Sequence, residues 1–315
     1  MRKVLRFIGR LIPWTCTVVL LLLSLAGFVE RPTWYVDNIA QLRIPLLIAV
    51  VALLLVCLPL RKNRLTGVLI AIALIDLVPI ASLYVPATEC TSSKATIKVV
   101  SSNTWGAHNL DPTAFEAMIR AEKPDLFILI EMTPAWLKTL KRDLPEYPVE
   151  FGETHSGGTA IFSKIPIREI DMRAIEHKRR FGARGLISLD GTDVLIIGSH
   201  PPAPSAKKRW QSRNAELERI ADDVRRDVSL HPVVVAGDLN TTPWSYYFRH
   251  LCESGLRDSE QGLGPQPSWS QRMPLPLVPI DHALYSKGVC IRNRHLGPDI
   301  GSDHLPLIFE IAKAP

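Results

Sequence analysis

Acids, amides and imidazoles recur at the ends of short apolar runs in this chain. Asn103 follows IKVVSS, Glu131 ends DLFILIE, His200 ends DVLIIGSH, Asp238 and Asn240 lie in VVVAGDLN, Asp281 and His282 open DHALY, and Asp303 and His304 precede LPLIFEIA. Taken singly each has another explanation: Asn103 and Asn240 could cap turns, His200 could be a half-buried histidine, and Asp281 could cap a helix. Their coincidence at strand ends points to a site, because sites are commonly built where strands stop. Carboxylate and amide oxygens are hard ligands that would hold Mg2+ or Mn2+ through few protein contacts. The five cysteines have no zinc-binding spacing. Each Asp-His dipeptide offers an imidazole and an acid able to orient it. An imidazole held against a carboxylate keeps its proton near neutral pH, and can stabilise or protonate an oxygen that gains charge in phosphoryl transfer.

The elements that must position these groups can be read around them. IKVVSS reads as a buried strand and DLFILIE as a central one, with TAIFS, RGLISL and DVLIIGSH as shorter strands. DPTAFEAMIRAEKP reads as a helix capped by Asp111 with Pro112 at its first position. Residues 207 to 228 carry Trp210, Leu217, Ile220 and Val224 at helical spacing between charges, which predicts an amphipathic helix. VVVAGDLN, IDHALY and LPLIFEIA complete the strands. Strands and helices mixed in this way predict an α/β or α+β layered domain.

SSNTW, LFILIE, GSH, GDLNTTPWS, IDHALYS and GSDHLPL, in that order, resemble the motif set of the endonuclease/exonuclease/phosphatase (DNase I-like) superfamily. The resemblance covers about residues 95 to 311. It implies a four-layer α/β sandwich, two mixed sheets inside two helical layers, and a metal-dependent phosphoesterase. It also implies roles residue by residue. Asn103 and Glu131 match the metal-binding pair, with Asp303 a further metal contact. Asp238 matches the acid that orients or deprotonates the attacking water, and Asn240 the amide that contacts the phosphate. His304, oriented by Asp281, matches the histidine facing the scissile phosphate, and His200 the phosphate-side histidine of the DNase I-like and sphingomyelinase-like branches. Arg184 lies where the family often carries a substrate-side arginine, a surface salt bridge being the other reading. His282 alternates to the opposite face of its strand and reads as structural.

Residues 1–90 have a different character. Apolar stretches at about 11–29, 44–60 and 65–85 approach the ~20 residues that cross a bilayer, so three transmembrane helices are expected ahead of a catalytic domain at 91–315. A cleavable signal peptide is the rival reading of the first stretch. Arg2, Lys3, Arg6 and Arg10 before the first stretch, and Arg61, Lys62 and Arg64 between the second and third, predict that those segments are cytoplasmic. The catalytic domain is then extracytoplasmic. Asp76, in the middle of a span, is either functional or paired between helices.

The net charge of +6 divides unevenly: nine Lys and Arg against four Asp and Glu in residues 1–90 give +5, leaving +1 for the remainder. A nearly neutral domain argues against nucleic acid as the partner and leaves the Lys178-Arg179-Arg180 and Lys207-Lys208-Arg209 runs as local features. The expected substrate is therefore a phosphate ester of a lipid or lipid-linked carrier. An extracytoplasmic nuclease and a catalytically silent membrane scaffold are the alternatives. Cys252 and Cys290 could pair in an oxidising compartment, but neither size nor spacing requires it, and free thiols are expected.

Overall fold

The computed structural model describes residues 2–60, 63–86, 90, 95–152, 158–175, 180–273 and 278–314. Of the segments discussed above, Arg61, Lys62, Lys178 and Arg179 lie outside the described residues, as does most of 87–94, the short polar linker between the apolar helices and the catalytic domain.

The N-terminal part is helical. Helices α1 (Arg2–Leu25), α2 (Trp34–Gln41), α3 (Arg43–Cys57) and α4 (Asn63–Ala81) follow in order. Two stretches, Leu11–Phe28 and Asn63–Tyr84, are long and apolar enough to cross a membrane. The count becomes three if α2 and α3, bent by 66° at Leu42, are taken as one span. Asp76 of α4 is paired between helices: it accepts from Ser24 Oγ at 2.7 Å and from Arg43 Nη1 at 3.4 Å, so neither the acid nor the arginine is left alone in an apolar bundle.

The remainder folds as two six-stranded sheets with helices outside them. In chain order the elements are β1 (Thr96–Asn103), α5 (Thr113–Glu122), β2 (Leu126–Ile130), α6 (Pro134–Asp143), β3 (Val149–Gly152), β4 (Thr159–Ser163), β5 (Arg168–Ile175), β6 (Arg180–Leu189) and β7 (Thr192–Gly198). There follow α7 (Lys207–Asp227), β8 (Val233–Asp238), α8 (Tyr246–Cys252), β9 (Arg257–Asp258), β10 (Asp281–Tyr285), β11 (Val289–Leu296) and β12 (Leu307–Lys313). The sheet orders are β11-β12-β1-β2-β4-β3 and β5-β6-β7-β8-β10-β9.

Strand alternation explains why the central strands read as continuous apolar runs. Val99, Leu126, Ile128, Ile196, Val234 and Phe309 point between the sheets. Their neighbours Val100, Phe127 and Leu129 meet Phe115 and Met118 of α5 and Trp136 of α6. Val233 and Val235 meet Leu217, Ile220 and Val224 of α7 and Phe248 of α8. Each sheet is thus buried on both faces, giving the expected four-layer α/β sandwich of DNase I type.

The edge strands β3, β5, β9 and β11 and helices α6 and α8 were not read from the sequence, and three further details differ. Pro112 occupies the N-cap of α5 instead of its first turn, and the Asp111 carboxylate accepts the Thr113 N–H at 3.0 Å. Cys290 pairs with Cys90, with Cα atoms 5.8 Å apart, while Cys252 is a free thiol; the fold brings the linker cysteine to β11 across 200 residues of sequence. The third is α2, which lies where only a loop was expected. Its Asp37 carboxylate pairs with Arg213 of α7, both side chains fully buried. The same carboxylate accepts from Trp210 Nε1 at 3.0 Å and from Ser245 Oγ at 3.1 Å. Gln41 Oε1 accepts the Thr242 N–H at 2.8 Å, and Trp34 Nε1 donates to Pro204 O at 2.8 Å. A buried ion pair with this many satisfying hydrogen bonds fixes the helix against the sandwich.

Candidate active site

Topology alone collects the strand-end residues on one rim. β1 and β2 run parallel, as do β7 and β8, so Asn103, Glu131, His200 and Asp238 all lie at C-terminal strand ends. β10 and β12 run antiparallel to β8 and β1, so their beginnings meet those ends: Asp281 faces Asp238, and Leu307, just after His304, faces Ser101.

Asp238 is the hub. Its Oδ2 accepts from Asn103 Nδ2 at 3.1 Å and lies 3.5 Å from His200 Nε2 and 3.7 Å from His304 Nε2, while Oδ1 accepts the Asn240 N–H at 2.9 Å. His304 Nδ1 contacts Asp281 Oδ2 at 2.8 Å, and its Nε2 is 3.9 Å from Asp303 Oδ1. His200 Nε2 is 3.5 Å from Glu131 Oε1. The loop before β12 is fastened by Ser302, whose Oγ donates to Asn103 O at 2.8 Å and accepts the His304 N–H at 3.1 Å.

The backbone at this rim is unusual. Glu131 and Asn240 have φ of +59° and +50°, a left-handed conformation that costs non-glycine residues energy and clusters at functional sites. Gly237 has φ of +147°, and a Cβ there would stand 2.0 Å from Ser199 O, so the GD dipeptide is what lets β8 pass the His200 loop closely.

Burial and charge set the protonation states. Burial pushes the Asp238 carboxyl up, with Asp281 adding to it against the opposing pull of His304, to about 7. Burial would lower His304, but the carboxylates of Asp281 and Asp238 outweigh it and raise the imidazole to about 10. Burial acts against ionised Asp281 as well, and the charge and hydrogen bond of His304 overcome it, holding this acid below its ordinary range. The cluster is therefore an imidazolium held between carboxylates.

The residues fit a divalent cation. Among the described residues Asp303 Oδ1 is buried without a hydrogen-bond partner, and Glu131, 30% exposed, places a carboxylate on the open side of the cluster. Ligand atoms of Asp238, Asp281 and His304 also lie within 4.8 Å of one another. The His304 and Asp281 atoms are already engaged with each other, and Asn103 Oδ1 accepts the Trp105 N–H at 2.9 Å.

One expected residue stands apart, and His282 lies off the site as its strand position predicts. Arg184 on β6 is not part of the cluster: its Nη1 pairs with Asp227 Oδ2 at 2.8 Å at the end of α7, so the salt bridge and not the substrate claims it. His282 points away, contacting Thr241 O through Nε2 at 2.8 Å. Asn240 is in place, but one N–H of its amide is spent on Pro201 O at 3.1 Å. Sequence reasoning missed Trp269, whose Nε1 donates to Asp303 Oδ2 at 2.9 Å, and Ser302. The GSDH motif carried a signal for the serine; nothing in the sequence marked the tryptophan.

A two-sheet sandwich with acids, amides and histidines gathered at one rim defines a phosphoesterase-type fold. The Endonuclease/Exonuclease/phosphatase family matches residues 100–304. Similar solved structures include a humanized D. rerio TDP2 (TM-score 0.59, 18% identity, covering 69% of this chain and 98% of that one). The human Nocturnin catalytic domain with bound sulfate is similar at TM-score 0.56 and 18% identity, covering 70% and 95%. A functionally unknown conserved protein from Enterococcus faecalis has TM-score 0.56 and 19% identity, covering 69% and 100%. No curated protein matches the sequence. The chain belongs to the Endonuclease/Exonuclease/phosphatase family, and it is a metal-dependent hydrolase of phosphate esters.

Proposed function

We propose that this enzyme hydrolyses a phosphate ester of a lipid or lipid-linked carrier at the outer face of a cell membrane. The observation that carries the reading is the docking of α2 through Asp37 and Arg213, which ties the catalytic rim to the helices that carry the apolar stretches. With α3 as the second of three crossings and α2 outside the bilayer, the segment between the first two apolar stretches and the catalytic domain lie on one side, as the distribution of basic residues predicts. The Cys90–Cys290 pair supports an oxidising compartment.

In this reading Asn103, Glu131 and Asp303 hold Mg2+ or Mn2+, which when bound supplies positive charge against the phosphate oxygens. Asp238, raised to about 7, takes a proton from the attacking water near neutral pH. His304, kept charged by Asp281, stabilises the negative charge that builds on the phosphate. His200 and the remaining N–H of the Asn240 amide orient the phosphate.

A nuclease is the second reading, favoured by the likeness to D. rerio TDP2 complexed with a single-strand DNA product (TM-score 0.58, 18% identity). The deciding experiment offers the full chain, with Mg2+ or Mn2+, plasmid DNA, single-stranded DNA, phospholipids and polyprenyl diphosphates. Turnover of the lipid phosphates supports the proposal, and turnover of nucleic acid alone refutes it.

A further inference from the structure

Between α2 and the catalytic rim lies a cavity of about 320 Å3, at the lower end of the ~300–1,000 Å3 of small-molecule clefts. Its apolar wall is formed by Leu42, Ala203, Pro204, Trp269, Val278 and Ile280, and Asn240 of the catalytic cluster also lines it. The polar side chains on the wall are largely committed. Asn38 Nδ2 donates to Trp34 O and Pro204 O at 2.9 and 3.3 Å, Gln41 Oε1 accepts the Thr242 N–H, and Trp269 Nε1 donates to Asp303. What they leave facing the cavity is mainly hydrocarbon, which an apolar ligand would cover.

The two ends of this wall differ in what they adjoin. Leu42, 45% exposed, sits at the 66° bend where α2 gives way to the apolar α3. Trp269 joins the other end to the catalytic cluster, its ring on the cavity and its N–H on Asp303. A groove that runs from a membrane helix to a phosphate-handling rim has continuity with both.

We propose that this groove seats the hydrocarbon chain adjoining the scissile phosphate, so that the headgroup reaches Asp238 while the chain stays covered by α2. This rests on the lipid-phosphate reading above and names where that substrate is selected. The groove makes chain length, and not only the phosphate, a determinant of turnover.

The test uses the full chain in detergent with farnesyl and isopentenyl diphosphate, and with dioctanoyl and dibutyryl phosphatidylglycerol, as long-chain and short-chain pairs. The ratio of kcat/KM for long over short chains should fall at least tenfold in Ala203→Trp and in Val278→Trp, each of which places an indole on the groove's lining. An unchanged ratio in both variants, with wild-type turnover of the lipids intact, overturns the groove but leaves the lipid reading standing. If the wild-type enzyme hydrolyses nucleic acid and none of these lipids, both fall. Should the variants not fold, photolabelling of the wild-type chain with farnesyl diphosphate carrying a diazirine decides. Label on the peptides holding Ala203 and Trp269 supports the groove, and label confined to α1, α3 and α4 overturns it.

Discussion

Asp238 and Asp281 stand directly opposite one another across the β8–β10 ladder, two buried carboxylates that are kept together by the single imidazole of His304. Like charges in direct opposition on a sheet repel, so the histidine is both a catalytic candidate and the counterion on which the acids depend. His304→Ala should therefore lose activity and also destabilise the fold. Asp281→Asn should keep the fold and lower kcat by roughly 10²–10⁴-fold, the range for loss of a positioned acid–base group. Full activity in Asp281→Asn, measured with circular dichroism as a fold control, would remove Asp281 from the site.

Asp238→Ala should abolish hydrolysis with any substrate, because the acid at the hub both meets Asn103 and faces the two histidines. A thermal melt should remain cooperative, and residual turnover near the wild-type rate would contradict the role given to Asp238.

Chelation should stop the reaction, and Mg2+ or Mn2+ should restore it. Glu131→Gln and Asp303→Asn should each raise the metal concentration needed for half-maximal rate, read from a titration of activity against free metal. Turnover that persists in metal-free buffer would exclude the oxygen set named here.

Asp37→Ala leaves the Arg213 guanidinium buried without its carboxylate, a change that typically costs about 3–5 kcal/mol. For a domain of this size the midpoint of thermal unfolding should drop by on the order of 10 °C. A shift within a degree or two would mean that α2 is not an integral part of the sandwich.

Glu260 provides a pH test away from the catalytic rim. Burial pushes its carboxyl up to about 7 against the pull of Arg294. The folded state thus holds this proton more tightly than the unfolded chain, whose carboxyl titrates near 4.3. The stability it contributes is present below that value and is lost progressively as pH rises from there through about 7. Thermal midpoints of wild type should fall between pH 5 and 8 more steeply than those of Glu260→Gln; parallel curves would show that the group is not linked to folding.

The inner strands were legible because burial on both faces leaves a continuous apolar run, as in VVVAGD and LFILI, and several runs stop at a residue able to do chemistry, whereas the edge strands β3, β5, β9 and β11 were not legible. The α2 helix was not, since the residues that dock it, Asp37 and Gln41, read as loop polarity until Arg213 and Thr242 are seen opposite them. The same holds for Arg184: its position along the chain suggested the site, and only the fold reveals Asp227 beside it. Pairwise partners far apart in sequence leave no local trace, which is also why Trp269 passed unnoticed.

The pairing of Cys90 with Cys290 has a topological result. It closes a covalent ring through 200 residues, from the linker through β1, both catalytic helical layers and β10 to β11. A protease that nicks any one exposed loop inside that ring opens it without releasing a fragment, and both pieces stay joined to the N-terminal helices. Under reducing conditions the same nick would leave the distal piece held by the sheets and core alone, so the covalent continuity of a cleaved chain rests on one bond that lies well outside the catalytic rim.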